Sequence, residues 1–299
     1  MSIGPAWATY GRVIAGFPEP EPIATPWRAD LALGSGLTAL CVEAALRDVA
    51  LYRGVVPGRV VTDPAVLSQM AINPSAGRVL GCSFSGGASE VLDGIAWLRL
   101  RNFGCDLLSN GIRADVRIPD GLAERPFRSL AFSALVPMLL RTPVPARPVE
   151  VPPVVPFLEK AAHLGLAPLF VADETDFPAR TLHAFWLEYV HRPGFVLRFP
   201  DFTHNFMWAS LRSPTPKFAF ILQRPRAELS DGRFEKLVGL LREANSPTFV
   251  FHPPDVPEEG DHVGLLLGVA DAVYSLALSL GCDLADELTF RHWRGAASK

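Results

Sequence analysis

A run of small hydroxyl and glycine residues separates an apolar segment from a helix-forming segment in the first half of the chain. It reads Ser83-Phe84-Ser85-Gly86-Gly87-Ala88-Ser89 and follows the apolar residues 79–82. Small side chains let backbone N–H groups and hydroxyls approach an anion, and a helix that begins directly afterwards points its positive end at the same place. The spacing predicts a phosphorylated substrate. The predicted phosphate donors are Ser83, Ser85, Gly86 and Gly87.

A second serine flanked by glycines stands earlier, after another apolar segment. Gly34-Ser35-Gly36 follows residues 29–33 and precedes a helix-like pattern. Neighbouring parallel strands present their carboxyl ends at one edge of a sheet, so Gly34, Ser35 and Gly36 are predicted to join the same phosphate site. The alternative is that the glycines serve only the steric needs of two tight strand-to-helix turns.

A different enzyme class uses a similar loop. Ser83-Phe84-Ser85-Gly86-Gly87 is close to the nucleophile elbow of a serine hydrolase, with Ser85 as the nucleophile. The partners of a triad would be Asp201 with His204, or Asp255 with His262. Two features disfavour this reading, because Ser83 occupies the first glycine position of the elbow and no HGGG-like loop precedes it.

Composition limits the classes of partner. The chain has 299 residues, 49% of them hydrophobic and 20% charged, which is enough for a large core and favours two domains. A net charge of -3 gives no general attraction to nucleic acid. The cysteines follow no metal-binding or disulfide spacing, so we expect buried thiols in a reducing cytoplasm and neither metal nor cofactor. They are Cys41, Cys82, Cys105 and Cys282.

Two segments bear on export and membranes. Residues Met1–Tyr10 lack the basic and apolar regions of a signal peptide, so a cytoplasmic location is expected. The stretch Val263–Leu280 is long enough to span a bilayer, but Asp271 stands in its middle. We therefore predict a buried core helix and no membrane partner.

Apolar runs alternate with segments of helical periodicity, which predicts an α/β fold with mainly parallel sheets covered by helices. The first half is predicted to contain strands at 29–33, 78–82, 106–109 and 116–118, and helices at 37–49, 89–101 and 127–140. Residues 142–156 are dense in proline and predict an extended linker. The second half is predicted to contain strands at 168–172, 218–223 and 248–252, and helices at 178–189, 233–243 and from 263 onward. The predicted domains are therefore 1–141 and 157–299.

Four segments give the chain a resemblance to a known family. They are Gly34–Gly36, Ser83–Gly86, Gly121–Arg128, and Glu188 with Phe199–Asn205, the last similar to a family motif written FPELNHNE. On these segments the chain resembles the sugar isomerase (SIS) domain proteins, and among them the bifunctional phosphoglucose/phosphomannose isomerases. The resemblance implies two SIS domains, each a three-layer arrangement of a mainly parallel sheet between helices. It also implies a phosphorylated sugar as substrate, no cofactor, and a homodimer that uses the apolar face of the Val263 helix.

The resemblance also implies roles for individual residues. Glu188, which stands sixteen residues before His204, corresponds to the base that moves a proton between C1 and C2 of the sugar. His204 corresponds to the residue that opens the sugar ring. Arg128, nine residues before Pro137, would stabilise the enediolate, with Arg125 as the alternative. Aromatic neighbours of Glu188 are expected to bury it partly and raise its pKa.

The chain departs from the family pattern at several of these places. Ala88 replaces a threonine of the phosphate loop, Phe206 replaces the glutamate of the motif, and Arg294 replaces a lysine that assists ring opening. Leu187 and Tyr189 make the surroundings of Glu188 more apolar than the family's. The sequence predicts a phosphosugar aldose–ketose isomerase, with a non-catalytic phosphosugar sensor as the alternative.

Overall fold

Two parallel sheets form the frame of the protein. The computed structural model describes residues 4–19, 24–143, 149, 151, 153–172, 177–198, 217–224, 232–251 and 261–284. The first half contains α1 (Pro5–Gly16), β1 (Trp27–Gly34), α2 (Gly36–Arg53), β2 (Arg59–Val61), α3 (Pro64–Leu67), β3 (Arg78–Cys82), α4 (Ser89–Arg99), β4 (Cys105–Ser109), β5 (Val116–Arg117) and α5 (Ala131–Leu139). The second half contains α6 (Val155–His163), β6 (Ala167–Ala172), α7 (Phe177–Phe185), β7 (Phe195–Arg198), β8 (Phe218–Gln223), α8 (Arg233–Glu243), β9 (Thr248–Phe251) and α9 (Asp261–Ser279).

In each sheet the chain adds strands first on one side and then on the other, so the order of addition reverses in the middle of the sheet. The first sheet runs β2-β1-β3-β4-β5 and the second runs β7-β6-β8-β9, with every neighbouring pair parallel. In the first sheet the chain moves outward from β1 to β2 and then returns to β3 on the other side. Such a switch point leaves a crevice at the carboxyl ends of the two central strands, where ligands bind in open α/β sheets.

Helices cover both faces of each sheet. One apolar cluster packs α3 and α4 on the outer face of the first sheet, and another packs α8 on the outer face of the second. The largest cluster lies between the two sheets and joins α1, α2, α5, α6, α7 and α9. Each half is thus a three-layer arrangement of helix, sheet and helix, which confirms the predicted fold class.

Polar contacts tie the two halves together along α2. Glu43 on α2 accepts a bidentate pair of hydrogen bonds from Arg180 on α7, at 3.0 and 2.8 Å, and also binds Arg47. The two arginines hold the pKa of the Glu43 carboxyl below its usual range although burial acts in the opposite direction. Helix α2, which begins directly after Ser35, is therefore fixed against α7 of the second half.

The hydrophobic pattern of the sequence does not predict several of the short elements. The chain forms α1, β2, α3, α6 and β7 where no element is predicted. α6 begins at Val155, inside the predicted linker, because a proline in the first helical turn displaces no hydrogen bond of the helix. Tight packing selects this boundary, since Val154 and Leu158 are both fully buried.

The charge in the middle of α9 has a structural partner. Asp271 accepts a hydrogen bond of 2.7 Å from the N–H of Ala6 and so satisfies the first turn of α1. By length and composition alone α9 could cross a membrane, but 61% of its most apolar 18-residue stretch is buried within the protein. The prediction of a core helix is confirmed. The predicted use of its apolar face for a dimer contact is wrong, because α1, α2 and α7 already cover that face.

Candidate active site

The two predicted phosphate loops begin side by side at the switch point of the first sheet. Gly34, the last residue of β1, is in register with Cys82, the last residue of β3, so Ser35 and Ser83 are the first residues of neighbouring loops. A Cβ atom on Gly34 would lie 2.9 Å from the Cα atom of Ala39, which is why only glycine lets α2 start this close to the strand. The Ser35 hydroxyl forms no capping hydrogen bond with α2.

The loop after β3 is a compact turn whose N–H groups meet its own hydroxyls. Gly86 N–H donates to the Ser83 carbonyl at 3.0 Å, which closes the turn. Gly87 N–H donates to Ser85 Oγ at 3.3 Å and Ala88 N–H to Ser83 Oγ at 3.4 Å. Both distances are longer than the usual 2.9 to 3.0 Å of an N–H···O bond. An anionic oxygen would therefore be a better acceptor for these N–H groups than the hydroxyls that they now meet.

The end of β4 holds this loop in shape. Asn110 N–H and Ser109 Oγ both donate to the Phe84 carbonyl, at 2.9 and 3.2 Å. Gly86 adopts φ +66°, and a Cβ atom there would lie 2.6 Å from Ser109 Oγ. Glycine is thus required at 86 by both backbone conformation and space. Ser109 and Asn110 were not among the predicted site residues, although a Ser-Asn-Gly sequence at a strand end is a signal for such a role.

Arg128 lies beside the phosphate loop. Its guanidinium carbon is 5.5 Å from the ring centroid of Phe84, a cation–π distance. The next residue, Ser129, shares a hydrogen bond of 3.2 Å with Thr38 in the first turn of α2. Arg128 is exposed at this position. The predicted phosphate residues and Arg128 are therefore brought together at one edge of the first sheet.

Glu188 belongs to a π-helical turn, Trp186–Val190, that continues α7. The neighbouring Tyr189 contacts Phe127 with ring centroids 6.0 Å apart, which joins this turn to the segment that carries Arg128. Glu188 reaches solvent, yet desolvation by the surrounding protein raises the pKa of its carboxyl, as predicted. The charges of His191 and Arg125 act in the opposite direction on that pKa.

The sequence leaves Arg125 and Arg128 as alternatives for one role, and the structure separates them. Arg125 is the arginine whose charge acts on Glu188, whereas Arg128 stacks on Phe84 of the phosphate loop. Arg128, the first choice for the enediolate, is thus found against the phosphate loop, and Arg125 is the arginine whose charge reaches Glu188.

The charge of Glu188 also acts on α2. Burial, and after it this charge, raises the pKa of the Cys41 thiol.

The surroundings of Glu188 are apolar, as the sequence indicates. Tyr189 is completely buried, and its hydroxyl forms no hydrogen bond with any described residue. Leu187 lies on the exposed side of the turn. His204 and Phe206, like Arg294 near the end of the chain, lie outside the described residues, so the predicted role of His204 stays a prediction.

The hydrolase alternative loses one of its two predicted triads. His262 Nδ1 lies 2.7 Å from Asp48 Oδ1 in the buried contact between α9 and α2, so this histidine is committed to a structural partner. Asp201, His204 and Asp255 lie outside the described residues. Within the part of the chain that is described, no group of three or more His, Cys, Asp and Glu side chains is arranged to hold a metal ion.

The sequence matches no protein-family profile and no curated protein sequence. Solved structures match its fold over almost the whole chain. A hypothetical protein from Thermus thermophilus is 14% identical with a TM-score of 0.61, and the match covers 98% of this chain and 88% of that one. A glucose-6-phosphate isomerase from Chlamydia trachomatis is 13% identical with a TM-score of 0.56, covering 98% and 72%. A glucosamine-6-phosphate deaminase from Thermotoga maritima is 12% identical with a TM-score of 0.54, covering 93% and 94%.

Because the sequence identities are low, these structural similarities are evidence for a shared fold only. They agree with the two parallel sheets, the switch point and the inner helix layer described above. The resemblance drawn from the sequence motifs is therefore confirmed at the level of fold: the chain has the two-sheet α/β fold of the sugar isomerase (SIS) domain proteins.

Proposed function

We propose that the protein binds a phosphorylated hexose and interconverts its aldose and ketose forms. The reaction would be of the type that converts glucose 6-phosphate or mannose 6-phosphate to fructose 6-phosphate. One observation carries the proposal: two loops rich in serine and glycine begin side by side at the switch point of the first sheet, and Arg128 lies against one of them. The proposal places Glu188, whose pKa is raised by desolvation, at the other end of the same substrate site. The fold is shared with a glucose-6-phosphate isomerase.

The proposed mechanism assigns each end of the cleft a task. Ser35, Ser83 and Ser85, with the N–H group of Gly87, bind the phosphate, while Gly86 N–H keeps the turn closed through the Ser83 carbonyl. Glu188 takes the proton from C2 of the aldose and returns it to C1, which needs no redox cofactor. The negative charge that develops on the enediolate lies near Arg125, whose guanidinium stabilises it. Arg128 adds a positive charge at the phosphate end.

The two arginines are expected to give different kinetic defects. Arg125→Gln removes charge near the enediolate, so we expect kcat to fall by about 100-fold with little change in substrate affinity. Arg128→Gln removes charge near the phosphate, so we expect KM to rise by about 10-fold with kcat nearly unchanged. Steady-state kinetics of both variants check this division. If the two defects were interchanged, the assignment of the two ends would be wrong.

A sensor that binds a phosphosugar without converting it is the second candidate. Ala88, directly before α4, contributes no hydroxyl to the loop and leaves that helix without a side-chain cap. A loop with fewer hydrogen-bond donors binds the phosphate more weakly, and the rest of the proposed site is unchanged. A sensor would bind the phosphosugar and leave its carbon-bound hydrogens unexchanged.

Calorimetric titration tests the binding half of the proposal. Fructose 6-phosphate is expected to bind at least about 100-fold more tightly than fructose, because several charge-assisted hydrogen bonds go to the phosphate. Ser85→Ala is expected to weaken this binding by about 10-fold. The control is Ser75→Ala, which changes a serine in the turn before β3, at the opposite end of that strand. Equal affinity for fructose and its phosphate would contradict the proposal.

The proposal also includes features that the sequence resemblance implies. His204 would open the sugar ring, and a homodimer in the cytoplasm would be the working form. Since α9 is covered within the chain, a second subunit would need a surface other than the apolar face of that helix.

A further inference from the structure

The loop after β3 has little support of its own. Its turn is closed by the bond from Gly86 N–H to the Ser83 carbonyl. The other internal contacts, from Gly87 N–H and Ala88 N–H to hydroxyls of the loop, are 3.3 and 3.4 Å long. A bound phosphate competes for the same N–H and hydroxyl groups, so these contacts support the loop least when the ligand is present. Other parts of the chain must therefore hold the loop in its binding shape.

The end of β4 provides this support. The pairing of β3 with β4 continues into the loop, where Ser83 N–H donates to the Leu108 carbonyl at 3.2 Å. Asn110 N–H donates to the Phe84 carbonyl at 2.9 Å. Ser109 Oγ donates a second hydrogen bond to that carbonyl, at 3.2 Å. The residue that receives both bonds stands between the two serines of the phosphate loop.

The Ser109 hydroxyl is enclosed between the loop and the segment after β4. Its side chain is completely buried, and Oγ also accepts a hydrogen bond of 2.8 Å from Gly111 N–H. A Cβ atom on Gly86 would lie 2.6 Å from this hydroxyl oxygen, and one on Gly111 would lie 2.7 Å from the Ser85 carbonyl oxygen. The two glycines thus let the end of β4 lie directly against the loop.

A carbonyl that is held in this way also orients the residue that follows it. The peptide unit is planar and trans, so its C=O and N–H groups point in opposite directions. Two hydrogen bonds from different directions restrict rotation of the Phe84 carbonyl more than one bond does. They therefore fix the peptide unit that joins Phe84 to Ser85.

We propose that Ser109 is a positioning residue for phosphate binding. Its hydroxyl holds the peptide unit between Phe84 and Ser85 in the orientation that presents the Ser85 hydroxyl and the Gly87 N–H to the phosphate. This inference rests on the phosphosugar site of the proposed function, and it applies to an isomerase and to a sensor alike. Without the hydroxyl, the loop has its binding shape for a smaller fraction of the time, and affinity falls in proportion to that fraction.

Calorimetry with fructose 6-phosphate tests this role. Ser109→Ala removes one bond to the Phe84 carbonyl and leaves the bond from Asn110 N–H in place, so we expect the chain to fold. Affinity is expected to fall by about 10-fold. In steady-state kinetics we expect KM to rise by a similar factor with kcat nearly unchanged, because the loop contacts the phosphate and not the reacting carbons.

Ser133→Ala is the matched control. The Ser133 hydroxyl is also completely buried and donates to a carbonyl, that of Leu130 at 2.6 Å, at the start of α5. Both variants lose one buried hydrogen bond, so we expect similar decreases in unfolding temperature. Affinity for fructose 6-phosphate is expected to stay at the wild-type value in Ser133→Ala.

Gly111→Ala tests the same support without removing a polar group. The added methyl group would lie 2.7 Å from the Ser85 carbonyl oxygen and so displace the loop from β4. We expect affinity for fructose 6-phosphate to fall by about 10-fold in this variant as well. Gly239→Ala is its control, because a Cβ atom there meets nothing within 4 Å, and it should bind like the wild type.

The outcomes are distinguishable. Wild-type affinity in both Ser109→Ala and Gly111→Ala would overturn the inference and leave the phosphosugar site standing. An equal loss of affinity in Ser133→Ala would show that any lost buried hydrogen bond has this effect, and would also overturn the inference. If the wild type binds fructose 6-phosphate no more tightly than fructose, the proposed function fails and the inference fails with it.

Discussion

Replacing Glu188 by glutamine is expected to lower the turnover of a hexose phosphate by about 10³-fold while leaving its dissociation constant within about twofold. Glutamine keeps the shape and hydrogen-bonding capacity of the side chain but cannot accept the C2 proton. The phosphate loop follows β3 of the first sheet, whereas Glu188 lies in the turn after α7, so substrate binding is retained. Steady-state kinetics and calorimetry on the same preparation measure the two quantities.

The pKa of Glu188 adds a pH dependence to this prediction. Desolvation raises that pKa, so wild-type activity is lost as the pH falls through it, because the base becomes protonated. The same shift means that the ionised carboxylate destabilises the folded state at pH values above its folded pKa. Glu188→Gln is therefore expected to be inactive yet more stable than the wild type at neutral pH.

Glu243→Gln is the matched control for this experiment, because Glu243 is the exposed last residue of α8. It should change neither turnover nor stability. Retention of turnover in Glu188→Gln would remove Glu188 from the mechanism. A large loss of stability in that variant would show that its carboxylate supports the fold and does not oppose it.

The second large effect is expected at Asp48, which joins the halves of the protein. This residue is fully buried on α2, and its carboxylate contacts the first turn of α9 through three atoms. Oδ1 accepts from the His262 N–H at 3.2 Å and lies 2.7 Å from His262 Nδ1, while Oδ2 accepts from the Val263 N–H at 2.9 Å. Asp48→Ala leaves these groups buried and unpaired, so we expect a loss of about 3 kcal/mol or more in unfolding free energy.

Asp63→Ala tests whether burial is the reason. The carboxylate of Asp63 also accepts a helix N–H, from Ala65 at 2.9 Å, but it does so at the surface of α3. We expect the loss of this cap to lower the unfolding free energy by about 1 kcal/mol. Urea unfolding of both variants gives the comparison. Similar losses in the two variants would contradict a special role for Asp48.

Local patterns determine how much of the fold the sequence predicts. The strands 78–82 and 218–223 and the helix 233–243 have the predicted bounds, because each shows a clear period between Gly, Pro or polar residues. The phosphate loop is equally local, since its donors stand within six residues. By contrast, β2 and α3 are too short to show a period, and α6 begins among prolines that suggest an extended chain.

The contacts that complete the candidate site are long-range and leave no local pattern. The approach of Arg125 to Glu188 joins residues from two halves of the chain, and the pairing of Asp48 with His262 spans 214 residues. The π-helical turn that carries Glu188 and the left-handed conformation of His191 at its end are likewise not indicated by periodicity. These features arise from packing between the inner helices, so only the folded chain reveals them.

Hydrogen exchange at the substrate carbons tests the central claim most directly. Fructose 6-phosphate is incubated in deuterated buffer with the wild type or with Glu188→Gln, and the products are followed by NMR. The account predicts glucose 6-phosphate or mannose 6-phosphate carrying deuterium at C2 with the wild type, and no such label with Glu188→Gln. Binding of fructose 6-phosphate without any exchange by the wild type would contradict the claim and favour a phosphosugar sensor.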